Sequence, residues 1–176
     1  VFRPDTLGNY SSGSFFMLLD DPLGAEIRGV TLVEQLTSLP DVNLNAGTFL
    51  LTRTGGAEDS NVYSFTATDV GETTTAGTTT LLLDGADINI GHKLFGIELI
   101  EQAITVGDTS FTAGQILLTI DSESPVGDNS VAVERRDIFL LDIIQTTAGS
   151  GETQANATLL FDGSDVGLDN NGESID

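Results

Sequence analysis

Cysteine is absent from this 176-residue chain, and tryptophan is absent too. Without cysteine there are no disulfides, no thiolate metal ligands and no cysteine nucleophile. Without tryptophan, and with tyrosine only at Tyr10 and Tyr63, the chain lacks the aromatic platforms on which sugar-processing clefts stack their substrates. Histidine occurs once, at His92, so a typical zinc site cannot be assembled from it, and it reads as a surface loop residue. Basic residues are scarce: six face 27 acidic ones, Lys93 is the sole lysine, and the net charge is −21. Such a surface repels phosphate backbones and anionic lipid, which excludes nucleic acid as a partner. No apolar run approaches the ~20 residues of a helical membrane span, so membrane insertion by a helix is not expected. No signal peptide is visible and the first residue is Val1, which opens directly onto a strand-like piece. The expectation is a mature fragment or an excised segment of something longer.

What is present is an acidic chain with real apolar content. Apolar residues make up 39% and are grouped in strand-length blocks, which argues for a folded core over disorder. Self-repulsion at this charge must be offset, by high external salt or by bound divalent cations. A secreted or cell-surface location fits both.

The chain repeats itself. The stretch Thr80-Leu81-Leu82-Leu83-Asp84-Gly85-Ala86-Asp87 recurs as Thr158-Leu159-Leu160-Phe161-Asp162-Gly163-Ser164-Asp165, with a worn copy at Phe16-Met17-Leu18-Leu19-Asp20-Asp21. A gap-free match at an offset of 67 residues, 29 to 96, places Gly29-Val30-Thr31-Leu32-Val33-Glu34-Gln35 on Gly96-Ile97-Glu98-Leu99-Ile100-Glu101-Gln102. The same register carries Ala46-Gly47-Thr48 onto Ala113-Gly114-Gln115, and Asp41 onto Asp108. Val1-Phe2, Ser64-Phe65 and Ile138-Phe139 each begin a further matching piece, followed by a tract rich in Gly, Ser or Thr. One unit reads strand A, polar connection, strand B ending in Asp, acidic loop, strand C, turn, strand D. The expected boundaries are 1–62 and 63–136 for two full units and 137–176 for half of a third.

Local patterning calls for strands. Residues 94–102 alternate apolar and polar through their first half, whereas 81–83, 116–120 and 138–144 are continuous apolar runs of strand length. Gly, Asp and Asn punctuate the chain about every 8–12 residues. Glu34-Gln35-Leu36 could seed one helical turn, limited by Pro40. The expectation is an all-β chain of tandem four-stranded antiparallel units, layered as a sandwich or stacked array. A propeller-blade arrangement is the alternative, although two and a half units cannot close a ring. A half-unit also leaves an open sheet edge, to be paired internally or offered to a neighbour.

The acidic loops at the strand ends are the candidate site. Asp84, Asp87 and Asn89 in one, and Asp162, Asp165, Asp169, Asn171 and Glu173 in the other, offer the hard oxygen ligands that Ca²⁺ takes. Their spacing is not that of an EF-hand. The competing reading is turn chemistry, with each aspartate capping nearby amides. At Asp20-Asp21, Pro22 interrupts the pattern. Arg135-Arg136 is read as offsetting neighbouring carboxylates, and Asn9 and Asn156 open formal glycosylation sequons. No nucleophile elbow is present, so an enzyme is not expected.

The segments Val1-Phe2-x-Pro4-x-x-Leu7-Gly8 and Leu160-Phe161-Asp162-Gly163-Ser164-Asp165-Val166-Gly167-Leu168 resemble repeats of very large, acidic exported proteins of aquatic bacteria. The resemblance implies a tandem array at the cell surface, with calcium as a frequent companion. Together these features point to an extracellular structural or adhesive module that self-associates through open sheet edges and is stabilised by Ca²⁺. A Ca²⁺-dependent, lectin-like carbohydrate-binding module, with glycans as partners, is the alternative.

Overall fold

The computed structural model describes residues 2–15, 17–20, 22–56, 58–71, 74–150, 152–168 and 175. The chain is nearly all-β, with 53% strand against 4% helix, as the patterning requires. In chain order the strands are β1 (Phe2–Thr6), β2 (Asn9–Phe15), β3 (Ile27–Leu32), β4 (Thr37–Leu39), β5 (Val42–Leu44), β6 (Thr48–Arg53), β7 (Val62–Asp69) and β8 (Ala76–Leu83). There follow β9 (Leu94–Leu99), β10 (Ile104–Val106), β11 (Thr109–Phe111), β12 (Ile116–Ile120), β13 (Ser124–Val126), β14 (Val131–Val133), β15 (Ile138–Thr146) and β16 (Thr153–Phe161). Short 3-10 turns follow β8 at Ala86–Ile88 and β16 at Gly163–Val166. The stretch around Glu34 and Leu36 forms no helical turn.

Two four-stranded antiparallel sheets dominate, one ordered β3-β6-β7-β8 and the other β9-β12-β15-β16. Each draws strands C and D from one sequence repeat and strands A and B from the next, so the hydrogen bonding runs across positions 62/63 and 136/137. The hairpins β4-β5 and β10-β11 connect C to D in the first and second sheet. The hairpin β13-β14, between β12 and β15, has no counterpart among the described residues between β6 and β7. Among the described residues β1 and β2 pair with each other alone, and they correspond to the A–B half of such a sheet.

The 67-residue match survives at the level of individual bonds. Gly29 N donates to Thr52 Oγ1 at 2.8 Å, and Gly96 N to Thr119 Oγ1 at 2.8 Å. Val33 N reaches Thr48 O and Ile100 N reaches Gln115 O, both at 2.8 Å. Both C–D pairs carry an irregularity at the same place, next to Ile27 and next to Leu94. Strand A needs a small correction. Tyr63 lies opposite Leu51 and Phe139 opposite Leu118, so Phe139 corresponds to Tyr63, and Phe65 to Leu141. The shift is two residues, which leaves every side chain on its original face.

The core shows how the sheets are layered. Leu50 of β6 lies in the large shared core, while Phe49 and Leu51 lie in a smaller cluster on the other face. In β12 the assignment is reversed: Ile116 and Leu118, the counterparts of Phe49 and Leu51, are the residues in the shared core. Opposite faces of equivalent sheets therefore meet. That is stacking by translation, not the face-to-face pairing of a two-fold sandwich. The smaller cluster follows the same rule. Leu18, Leu19, Leu23 and Ile27 pack on Phe49, Leu51 and Phe65, just as Leu82, Leu83, Ile90 and Leu94 join Ile116, Leu118 and Leu141.

Candidate functional site: the sheet junction and the acidic loops

The Leu-Leu-x-Asp-Gly stretch acts first as a corner. Gly85 and Gly163 each lie against the turn that precedes strand A. A Cβ at Gly85 would strike the Ser60 backbone, and one at Gly163 the Arg136 backbone. Their amides donate to Asn61 Oδ1 at 3.0 Å and to Asp137 Oδ1 at 3.1 Å. The preceding aspartate caps the following 3-10 turn: Asp84 Oδ1 accepts from Ala86 N at 3.0 Å, and Asp162 Oδ1 from Ser164 N at 2.9 Å and Ser164 Oγ at 2.6 Å. The Ser164 hydroxyl, then the Ser164 amide, hold the Asp162 carboxyl below its ordinary value of 3.8, against a slight opposing effect of desolvation.

The remaining predicted ligands have structural partners or separate positions. Asp87 Oδ2 accepts from Thr153 N at 3.1 Å. Asn89 takes a left-handed backbone, φ 61°, and its amide donates to Gly127 O at 3.1 Å, tying the turn to the β13-β14 hairpin. Asp165 lies exposed within the second 3-10 turn. Asp169, Asn171 and Glu173 fall outside the described residues, as do Asp21 and Asp176. Among the described residues no group of three or more His, Asp or Glu side chains is placed to hold a metal ion. The nearest approach to an acidic recess, about 580 Å³, is lined by Asp87, Asp128, Glu152 and the β15-β16 turn region. His92 is exposed and borders a recess with Asp59, Lys93 and Asp121. Arg136 pairs with Glu134 at 2.6 Å, the charge-offsetting role expected of it. Asn156 is exposed on β16.

The polar groups that converge are at the junction between sheets, and many are equivalent residues meeting one another. Thr31 Oγ1 donates to Glu98 Oε2 at 2.9 Å across the 67-residue offset. The Glu101 carboxylate accepts from Glu34 N at 2.8 Å and Gln35 N at 2.7 Å, clamping two consecutive backbone amides, and Gln35 Nε2 donates to Glu101 O at 3.1 Å. The Thr52 hydroxyl accepts from Gly29 N and donates to Phe95 O of the next sheet at 3.2 Å. Gly29 is required there, because a Cβ would be driven into the Phe95 carbonyl oxygen.

At the strand-B end the pattern recurs. Asp84 N donates to Thr153 Oγ1 at 2.9 Å, Thr146 Oγ1 donates to Leu82 O, and Gly149 N donates to Leu81 O at 2.9 Å. One repeat earlier, Asp20 N donates to Thr75 Oγ1 at 2.7 Å. From the sequence, the paired Glu-Gln reads as a mark of duplication and the aspartates as candidate Ca²⁺ ligands or turn caps. The signal that they touch was their placement where strand C ends, which an offset alone does not convert into contact. No protein-family model, curated protein or solved structure matches this chain.

Proposed function

We propose that the chain is a structural module whose repeated sheets stack by translation into a stiff extracellular array. The observation that carries this reading is the junction itself: equivalent residues, Glu34 and Glu101 above all, bond to one another across one repeat length. A protein built this way is quasi-one-dimensional, with stability set by units and by nearest-neighbour interfaces. Open pockets of enzymatic character play no part in the reading; the large groove of about 800 Å³ runs along the stacked edge strands β3 and β9. Self-association belongs to the proposal because the stack is open-ended, and head-to-tail contacts that do not close propagate. Secretion fits the cysteine-free, strongly acidic composition. Ca²⁺ enters at one place, the stretch from Asp165 to Glu173, since Asp84, Asp87, Asn89 and Asp162 are engaged in hydrogen bonds.

The test is thermal unfolding of Glu101→Ala beside Glu34→Ala. The stack predicts a clear loss of stability in the first and almost none in the second. Equal effects would reject the junction as the organising element, and with it the array.

A further inference from the structure

Strand B is an edge of each large sheet, β8 in the first and β16 in the second. The two edges are treated differently. On β16 the backbone groups that point away from β15 are taken by the β13-β14 hairpin. Asp128 N donates to Ala155 O at 2.8 Å, Asn129 Nδ2 donates to Ala157 O at 2.8 Å, and Asn129 Oδ1 accepts from Ala157 N at 2.9 Å. The Asn129 side chain stands in for a neighbouring strand, and Ala155 and Ala157 are buried. Gly127 permits this approach, because a Cβ there would strike Ala157 N. On β8 the register makes Gly77 and Thr79 the counterparts of Ala155 and Ala157. Leu81 O accepts from Gly149 N, so the backbone groups of Leu81, and of Thr79 and Gly77 at alternate positions before it, face away from β7. Gly77 and Thr79 are exposed, and among the described residues no hydrogen bond reaches these outward groups. The hairpin that covers β16 belongs to the connection over 121–137, whereas the corresponding connection in the first sheet, 54–61, is about half as long. Both connections are internal to the chain.

We infer that the β8 edge at Gly77 and Thr79 is a docking site for β8 of a second copy of this chain, paired antiparallel about a two-fold axis at Thr78. This deepens the self-association proposed above by giving it a sideways surface, which uses none of the Glu101 contacts. The directions of the backbone groups fix the register. Gly77 of each copy exchanges both hydrogen bonds with Thr79 of the other, and Thr78 lies opposite Thr78. An axis at Thr79 would instead call on Leu81 O, which Gly149 already holds. Charge selects the occupant. The chain carries −21, and its open grooves present Glu34, Glu98 and Glu101, or Asp87, Asp128 and Glu152, where a second copy would set carboxylate against carboxylate. Residues 74–83 hold no ionisable side chain, so two copies can meet along this strand without that repulsion. A two-fold contact needs one self-complementary surface, and a neutral threonine-rich edge supplies it.

The experiment is sedimentation equilibrium of the full chain over a concentration series reaching about 0.5 mM. A reversible dimer is expected. Thr79→Pro removes an outward N–H, which an edge strand tolerates, and should abolish the dimer. Thr78→Cys tests the register independently, in a chain with no cysteine of its own. Residues opposite each other in such a non-hydrogen-bonded pair lie about 4.5 Å apart at Cα, within reach of a disulfide. Mild oxidation should therefore link Thr78→Cys into a covalent dimer at least about tenfold faster than Val106→Cys, placed on the exposed β10-β11 hairpin. Circular dichroism confirms that each variant folds. A chain that stays monomeric throughout leaves this edge to some other occupant and overturns the inference. So does an assembly that folded Thr79→Pro leaves intact, or cross-linking of Thr78→Cys no faster than that of Val106→Cys. If Glu101→Ala destabilises the chain but Thr78→Cys does not pair, the sideways contact falls while the array reading stands. If Glu101→Ala changes nothing and Thr78→Cys pairs, the array reading falls and the sideways contact stands.

Discussion

The molecule contains the same junction twice, once complete and once in part. Between the two large sheets, β3 and β6 meet β9 and β12, and one continuous core joins them. Between the β1-β2 hairpin and the first sheet, among the described residues, the segment after β2 contributes Leu18, Leu19 and Leu23. Residues of like chemistry at equivalent positions thus have different surroundings. Burial of Ile97 and exposure of Val30 reflect the neighbour each finds, not a difference in hydrophobicity. The comparison separates what a strand's sequence specifies from what its stacking partner supplies.

The strongest way to break the comparison is to truncate one member of an equivalent pair. Ile97→Ala should cost about 3 kcal/mol, as for a buried large-to-small change. Val30→Ala should stay within about 0.5 kcal/mol, the range for surface substitutions; urea melts of both variants check the contrast. Gly29→Ala comes next, at about 2 kcal/mol, because overpacking against a backbone carbonyl cannot be relieved by a rotamer change. Its effect should be accompanied by faster hydrogen exchange in β9.

Glu101→Ala should lose about 1.5 kcal/mol by leaving two amides without their charged acceptor, while Glu34→Ala loses almost nothing. The Asp162 cap gives a smaller effect. Its carboxyl is held below 3.8 in the folded chain, so its contribution is present above that pH and is lost as the pH falls through the lower, folded value. Asp162→Asn should therefore lower the melting temperature slightly at neutral pH and flatten the acid limb of a pH–melting curve, the two chains converging as the pH falls below about 4. The smallest expected effect is that of Ca²⁺. Against a matched NaCl control it should raise the melting temperature by an amount that Asp165→Asn reduces. No rise beyond the control removes the ion and leaves the stack intact.

Much of this was legible in the residues. Thr, Val, Ile and Phe between Gly and Asp gave the strands, and the 29-to-96 register gave bonds that recur one for one. The phasing was not legible. Nothing in the order A-B-C-D says that C and D hydrogen-bond forward to the next A and B, because a repeat can be cut anywhere without changing its period. The direction of stacking was hidden for a related reason. Leu50 and Leu51 are equally apolar, and only their neighbours decide which of them faces the shared core. The acidic loops illustrate the reverse case. Asp-Gly reads equally as a cap or a ligand, and the Ala86 and Ser164 amides claim Asp84 and Asp162 as caps.

Translational stacking gives the molecule a direction, since its two ends present different faces of one repeated sheet. Under tension along the stack, the junctions carry the load in series, like links of a chain. The complete junction combines a broad core with the Glu101 clamp, whereas the partial one rests on a few leucines and on hydrogen bonds of Thr75, Thr79 and Arg53 to the segment after β2. Pulled from its ends, the molecule should yield first at the partial junction, which would then act as a mechanical fuse sparing the sheets on either side.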